Sequence, residues 1–119
     1  MTSKNKGIKR LLKASFYSYK GFVSAFKHEA AFRQEVCLAA LFIPLAFWLD
    51  VSKVERISMV CVVILVLIVE LLNSGIESVV DRIGYEKHEL AGRAKDMGSA
   101  AVFMSLLLWA YVWASILFF

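Results

Sequence analysis

The stretch ISMVCVVILVLIVELLNSGIESVVDR, residues 57–82, decides the fold of this chain. From Ile57 to Val69 it is almost wholly apolar, the composition of a membrane span. Glu70, Asn73, Glu77 and Asp81 then follow at i, i+3, i+7 and i+11. On a helix these positions fall within about 80° of one another, one narrow face. Leu71, Leu72, Ile76, Val79 and Val80 cover the remainder. A charged residue at the bilayer centre costs about 2.5–3.5 kcal/mol on insertion scales, so such a stripe faces a cavity or a partner rather than lipid.

The rest of the chain has the same character. It holds 119 residues, 60% of them hydrophobic, with one proline, Pro44. That is one membrane domain, 1–119, too apolar for a soluble domain of this length. A further span is expected over about 30–49. Its apolar run, 36–49, is short for a hydrocarbon core of about 30 Å, so the helix must extend back through Ala30, Ala31 and Phe32. Arg33 and Glu35 are thereby carried close to the membrane, where they snorkel or pair. Pro44 is a site for a kink that neighbouring helices would tolerate. The last span is expected over about 97–119, with Trp109, Tyr111 and Trp113 as interface anchors. Cys37 and Cys61 lie in apolar runs with no second cysteine or histidine at ligand spacing. They read as buried thiols packed as small hydrophobes, with no disulfide or zinc site.

The N-terminal segment differs. Over 8–28, Ile8, Leu11, Leu12, Phe16, Tyr19, Phe22, Val23 and Phe26 share one helical face, and Lys9, Arg10, Lys13, Lys20 and Lys27 gather beside it. This is an amphipathic helix of the membrane interface. Anionic headgroups would attract it by about 1 kcal/mol per basic residue. The basic start does not indicate nucleic-acid binding, because the remaining chain is too apolar. The expected fold class is therefore all-α: a surface helix plus three membrane spans. Lys and Arg number eight in the N-terminal segment, two in the first link and four in the loop before the last span. Positive-inside logic places the N-terminus and that loop in the cytoplasm.

Depth organises the charges. With entry near Ile57, about 20 residues bring the span to its cytoplasmic boundary near Glu77. Glu70 then lies about 10 Å deeper at 1.5 Å per residue. Glu29, Lys95 and Asp96 also sit at that boundary. Two carboxylates at one level, Glu29 and Glu77, suit Mg²⁺ held jointly with phosphate oxygens. Glu70, below them, stands where a lipid hydroxyl would reach and where a proton acceptor would be needed. Phosphoryl transfer from a nucleotide to a lipid is one reading, with positioning and charge neutralisation supplying most of the catalysis. Neither G-x-x-x-x-G-K-[ST] nor G-x-G-x-x-G occurs. Interhelical hydrogen bonding in a non-catalytic membrane oligomer, or an ion or proton pathway, would use the same residues.

The polar positions carry a resemblance over nearly the whole chain. Residues 70–82, together with EAAFRQE (29–35), WLDV (48–51) and HELAGRAKDMGSAA (88–101), resemble the prokaryotic diacylglycerol kinase family. The resemblance implies an inner-membrane homotrimer with active sites between subunits. The implied activity is MgATP-dependent phosphorylation of diacylglycerol to phosphatidic acid, in membrane lipid recycling. By matching position, Glu70 would be the catalytic base and Asn73 would support the reacting groups. Glu29 and Glu77 would hold the metal. ATP contacts would come from Arg10, Tyr17, Glu29, Glu77, Glu86, Lys87, His88, Lys95 and Asp96. Lipid contacts would come from Arg10, Ala14, Tyr17, Ser18, Tyr19, Ala31, Phe32, Arg33, Gln34 and Glu35, from Trp48, Leu49, Asp50, Val51 and Arg56, and from Glu70, Ser99 and Trp113. Gly75, Lys87, Ser15 and Phe16 depart from the family's expected pattern, and none belongs to the carboxylate set. Undecaprenol kinase, with the same chemistry on a longer acceptor, is the close alternative.

Overall fold

The computed structural model describes residues 3–83 and 89–119. Every element among them is a helix: α1 (Ser3–His28), α2 (Ala30–Trp48), α3 (Lys53–Ile83) and α4 (Glu89–Phe118). α2, α3 and α4 are each long and apolar enough to cross a membrane. The chain is a multi-pass membrane protein.

Most of α1 projects from the bundle, and its last turns pack on α2 and α3, where Ala25 is buried. The molecule measures 48 × 47 × 23 Å. A helix of α3's length accounts for one long axis at about 1.5 Å per residue. The second comes from α1, whose length of roughly 39 Å on the same rise projects sideways. Its Leu11, Leu12, Phe16, Tyr17, Tyr19 and Phe22 are exposed, as an interfacial helix requires.

One residue turns the chain. Glu29 is extended (φ −115°, ψ 106°) between two helices. Its N–H closes the last turn of α1 on Ala25 O at 2.9 Å, and its carbonyl accepts from Arg33 N–H at 3.1 Å to open α2. The Arg33 guanidinium donates from Nη1 to Phe26 O (2.8 Å) and Lys27 O (3.0 Å), covering carbonyls that α1 leaves open.

The second link is fixed as firmly. Ser52 N–H donates to Glu55 Oε1 (2.9 Å), and Glu55 N–H donates to Ser52 Oγ (3.1 Å). This reciprocal capping box starts α3 at Lys53, before the apolar run at Ile57. Arg56 donates from Nε to Ala46 O (3.0 Å) and from Nη2 to Leu49 O (3.0 Å) and Val51 O (3.4 Å). The end of α2 is thereby tied to the start of α3.

The core lies at this end of the bundle. Ala39, Ala46, Met59, Val62, Val63 and Trp113 form one buried cluster. Phe42 meets both Trp109 and Trp113 edge-on, each at 5.0 Å between centroids. Trp113 Nε1 donates to Met59 O at 3.1 Å. Trp113 is thus a core residue and not the interface anchor expected, since its N–H finds its partner inside the bundle. Cys37 and Cys61 depart from expectation in the other direction, being exposed on the chain. A thiol behaves as a small hydrophobe, and the outside of a membrane helix suits one as well as its core.

Candidate functional site

α3 and the α1–α2 elbow build the site together. The stripe on α3 turns inward at Glu70, which is 4% exposed. Glu77, two turns on, and Glu29, at the elbow, both act electrostatically on Glu70. Glu70 acts in turn on Glu35 of α2. Four carboxylates from two helices and the elbow therefore share one electrostatic neighbourhood. Among the described residues no lysine or arginine is paired with Glu29, Glu70 or Glu77; the two ion pairs are Arg93–Glu89 and Lys95–Asp81. Glu35, expected from the sequence to snorkel or pair near the membrane and by resemblance to contact lipid, also belongs to this neighbourhood.

Asn73 stands one turn from Glu70 on the same face of α3, and its side chain acts on that carboxylate. Its Oδ1 is buried without a hydrogen-bond partner, as are Glu35 Oε2 and Ser74 Oγ.

A groove of about 440 Å³ opens beside this cluster, between α1 and α3. Ser24, His28 and Glu29 line one side; Ser74, Gly75 and Ser78 line the other. Its hydroxyls are partly committed: Ser78 Oγ donates to Ser74 O at 2.9 Å. His28 Nδ1 lies 2.9 Å from Ser24 O. A carbonyl can only accept, so that nitrogen carries a proton.

The other expected site residues separate into groups. Lys95 Nζ pairs with Asp81 Oδ1 at 2.7 Å, one turn beyond Glu77, so that the far end of the stripe holds α4 against α3. Asp96 and Ser99 are exposed on α4. Arg10, Ala14, Tyr17, Ser18 and Tyr19 are exposed along α1, and Ser18 Oγ donates back to Ala14 O. Arg10 and Tyr17 lie roughly 28 and 18 Å from Glu29 along the straight helix, by its rise per residue. One chain does not bring them to its own carboxylates. Ala31 and Gln34 are exposed, while Phe32 is buried. Trp48, Leu49, Asp50, Val51, Arg56 and Trp113 stand at the opposite end of the bundle from Glu70. The Arg56 and Trp113 donors there are engaged with backbone carbonyls. Glu86, Lys87 and His88 lie outside the described residues.

Comparison with known proteins gives a consistent result. The model of the family described as prokaryotic diacylglycerol kinase matches residues 16–117. A diacylglycerol kinase of Haemophilus influenzae is 53% identical over 116 residues, covering 98% of each chain. One of Pseudomonas aeruginosa is 56% identical over 111 residues, 93% of this chain and 90% of the relative. One of Escherichia coli K12 is 50% identical over 117 residues, 98% of this chain and 96% of the relative.

Proposed function

The chain belongs to the prokaryotic diacylglycerol kinase family, and from that premise we propose that it transfers the γ-phosphoryl group of ATP to the free hydroxyl of diacylglycerol, giving phosphatidic acid and ADP. The observation that carries the mechanism is that Glu29 and Glu77 both act electrostatically on buried Glu70, and Glu70 on Glu35, with no cation paired to the elbow and stripe glutamates among the described residues.

Glu70 is the general base. Its deep position on α3, with Asn73 one turn away on the same face, suits a carboxylate that takes the proton of the acceptor hydroxyl as oxygen attacks the γ-phosphorus. The bond from the γ-phosphorus to the bridging oxygen breaks, and ADP leaves. Asn73 fixes the orientation of the Glu70 carboxylate during that step. Glu29 and Glu77 suit a divalent cation. Mg²⁺ takes one or two carboxylates and leaves positions for phosphates and water. When bound, Mg²⁺ would neutralise phosphate charge that these glutamates otherwise repel.

Two further features belong to this reading. Active sites form between copies in a homotrimer: the α1 residues assigned to nucleotide and lipid project away from their own carboxylates, and a second chain would supply them. An apolar groove of about 580 Å³ on α3 and α4, lined by Val69, Met104, Leu107, Leu108 and Tyr111 among others, offers the uncovered surface such assembly needs. The chain sits in the inner membrane with its N-terminus in the cytoplasm, where ATP is available and the lysine-rich face of α1 meets anionic headgroups.

The test is transfer of labelled phosphate from ATP, with Mg²⁺, to diacylglycerol and to undecaprenol presented separately in vesicles. Labelled phosphatidic acid is expected. Label only in undecaprenyl phosphate would assign the other acceptor, and label in neither lipid would overturn the kinase reading.

A further inference from the structure

We propose that Gly98 is a positioning residue for this reaction: the side chain it lacks leaves the notch that holds the Asn73 amide toward Glu70. The inference rests on the kinase reading above and extends it to a residue on α4.

α3 and α4 run antiparallel. Lys95 meets Asp81 at one end of their contact, and Trp113 meets Met59 at the other. Along this seam α4 is buried at Gly98, Ser105 and Trp113. Gly98 therefore faces α3 next to Asn73. A methyl group built on Gly98 would overlap Asn73 Oδ1, and would come within 3.2 Å of Cγ and 3.8 Å of Cβ. Gly7, Gly21, Gly75 and Gly92, the other described glycines, would meet nothing within 4 Å. Gly98 has an ordinary backbone conformation, so the need here is for space rather than for an unusual φ. A glycine inside a helix costs about 1 kcal/mol relative to alanine, which gives its presence something to explain.

The Asn73 side chain acts on the Glu70 carboxylate one turn away. Its Oδ1 is buried with no hydrogen-bond partner and rests against the bare surface of Gly98. A methyl there would push Oδ1 aside, turn the amide about its terminal torsion and draw its donor away from Glu70. The chemistry would slow while nucleotide binding, through Glu29 and Glu77, would be little altered.

The experiment compares wild type, Gly98→Ala, Asn73→Ala and the double variant in the diacylglycerol transfer assay, with assembly followed by size-exclusion chromatography. Gly98→Ala is expected to lower kcat by about 10- to 100-fold, the worth of one hydrogen bond to a charged group, with KM for MgATP within about threefold. In the Asn73→Ala background the same change should alter the residual kcat by less than about twofold, because the smaller side chain leaves room for the methyl. Equal losses in both backgrounds would mean that Gly98 acts through helix spacing and would overturn the proposal. So would wild-type kcat in Gly98→Ala beside a slow Asn73→Ala. If Gly98→Ala does not assemble, recovery of assembly in the double variant upholds the notch, and failure to recover overturns it. Absence of transfer by the wild-type chain overturns the kinase reading itself and this inference with it.

Discussion

Replacing Arg33 with alanine tests how the elbow holds Glu29. Arg33 Nη1 donates to Phe26 O at 2.8 Å and Lys27 O at 3.0 Å. Both carbonyls belong to the last turn of α1, whose end also favours a cation electrostatically. A hydrogen bond from a charged donor contributes about 1.5–3 kcal/mol when shielded; these two are exposed, so about 1 kcal/mol each remains. The combined loss of about 2 kcal/mol falls on an elbow whose only non-helical residue is Glu29. It lowers the population with Glu29 correctly placed by up to about thirtyfold, and weakens cation binding in proportion. The assay is a Mg²⁺ titration of phosphoryl transfer at saturating ATP and diacylglycerol. The half-saturating Mg²⁺ concentration should rise by about tenfold or more, with KM for diacylglycerol within about threefold. An unchanged Mg²⁺ requirement with a raised KM for diacylglycerol would refute this reasoning, and would return Arg33 to the lipid-contact role that family resemblance implies.

Two other outcomes follow from the same geometry. Arg56→Ala should lower the thermal midpoint of the detergent-solubilised protein, because three carbonyls at the α2–α3 link lose their donor, at a cost of about 3 kcal/mol; an unchanged midpoint would show that the clamp adds no stability. Glu77→Gln should raise the Mg²⁺ concentration needed for transfer by about tenfold or more without altering assembly, since a cation coordinated by carboxylates loses one anionic ligand.

The stripe on α3 was legible because a helix obeys one rule: positions three, seven and eleven apart share a face whatever surrounds them. The amphipathic surface helix and the three spans were legible for a related reason, since hydropathy and its period report what each face meets. Residues whose roles depend on partners distant in sequence were harder to place. Trp113 reads from composition as an interface anchor, and its bond to Met59, across 54 positions, is what makes it a core residue. Arg33 reads from the sequence as a charge near the membrane and Arg56 as a basic residue of the first link; that each covers carbonyls freed where a helix ends depends on the packed structure. The Ser52-x-x-Glu55 capping box was present as a local signal, but the apolar run beginning at Ile57 masked it as the start of α3. Glu35 joins the other carboxylates because α2 and α3 pack side by side, a relation that no single-helix periodicity contains. The notch at Gly98 likewise needs the approach of α4 to α3.

The most direct test of the account is the rate of phosphoryl transfer to diacylglycerol by Glu70→Gln beside the wild-type chain, with assembly and MgATP binding measured on the same preparations. Loss of the general base should slow transfer by about 10²- to 10⁴-fold while assembly and MgATP binding persist. Near-normal transfer by Glu70→Gln would contradict the central claim, that the buried glutamate of the α3 stripe takes the proton from the lipid hydroxyl.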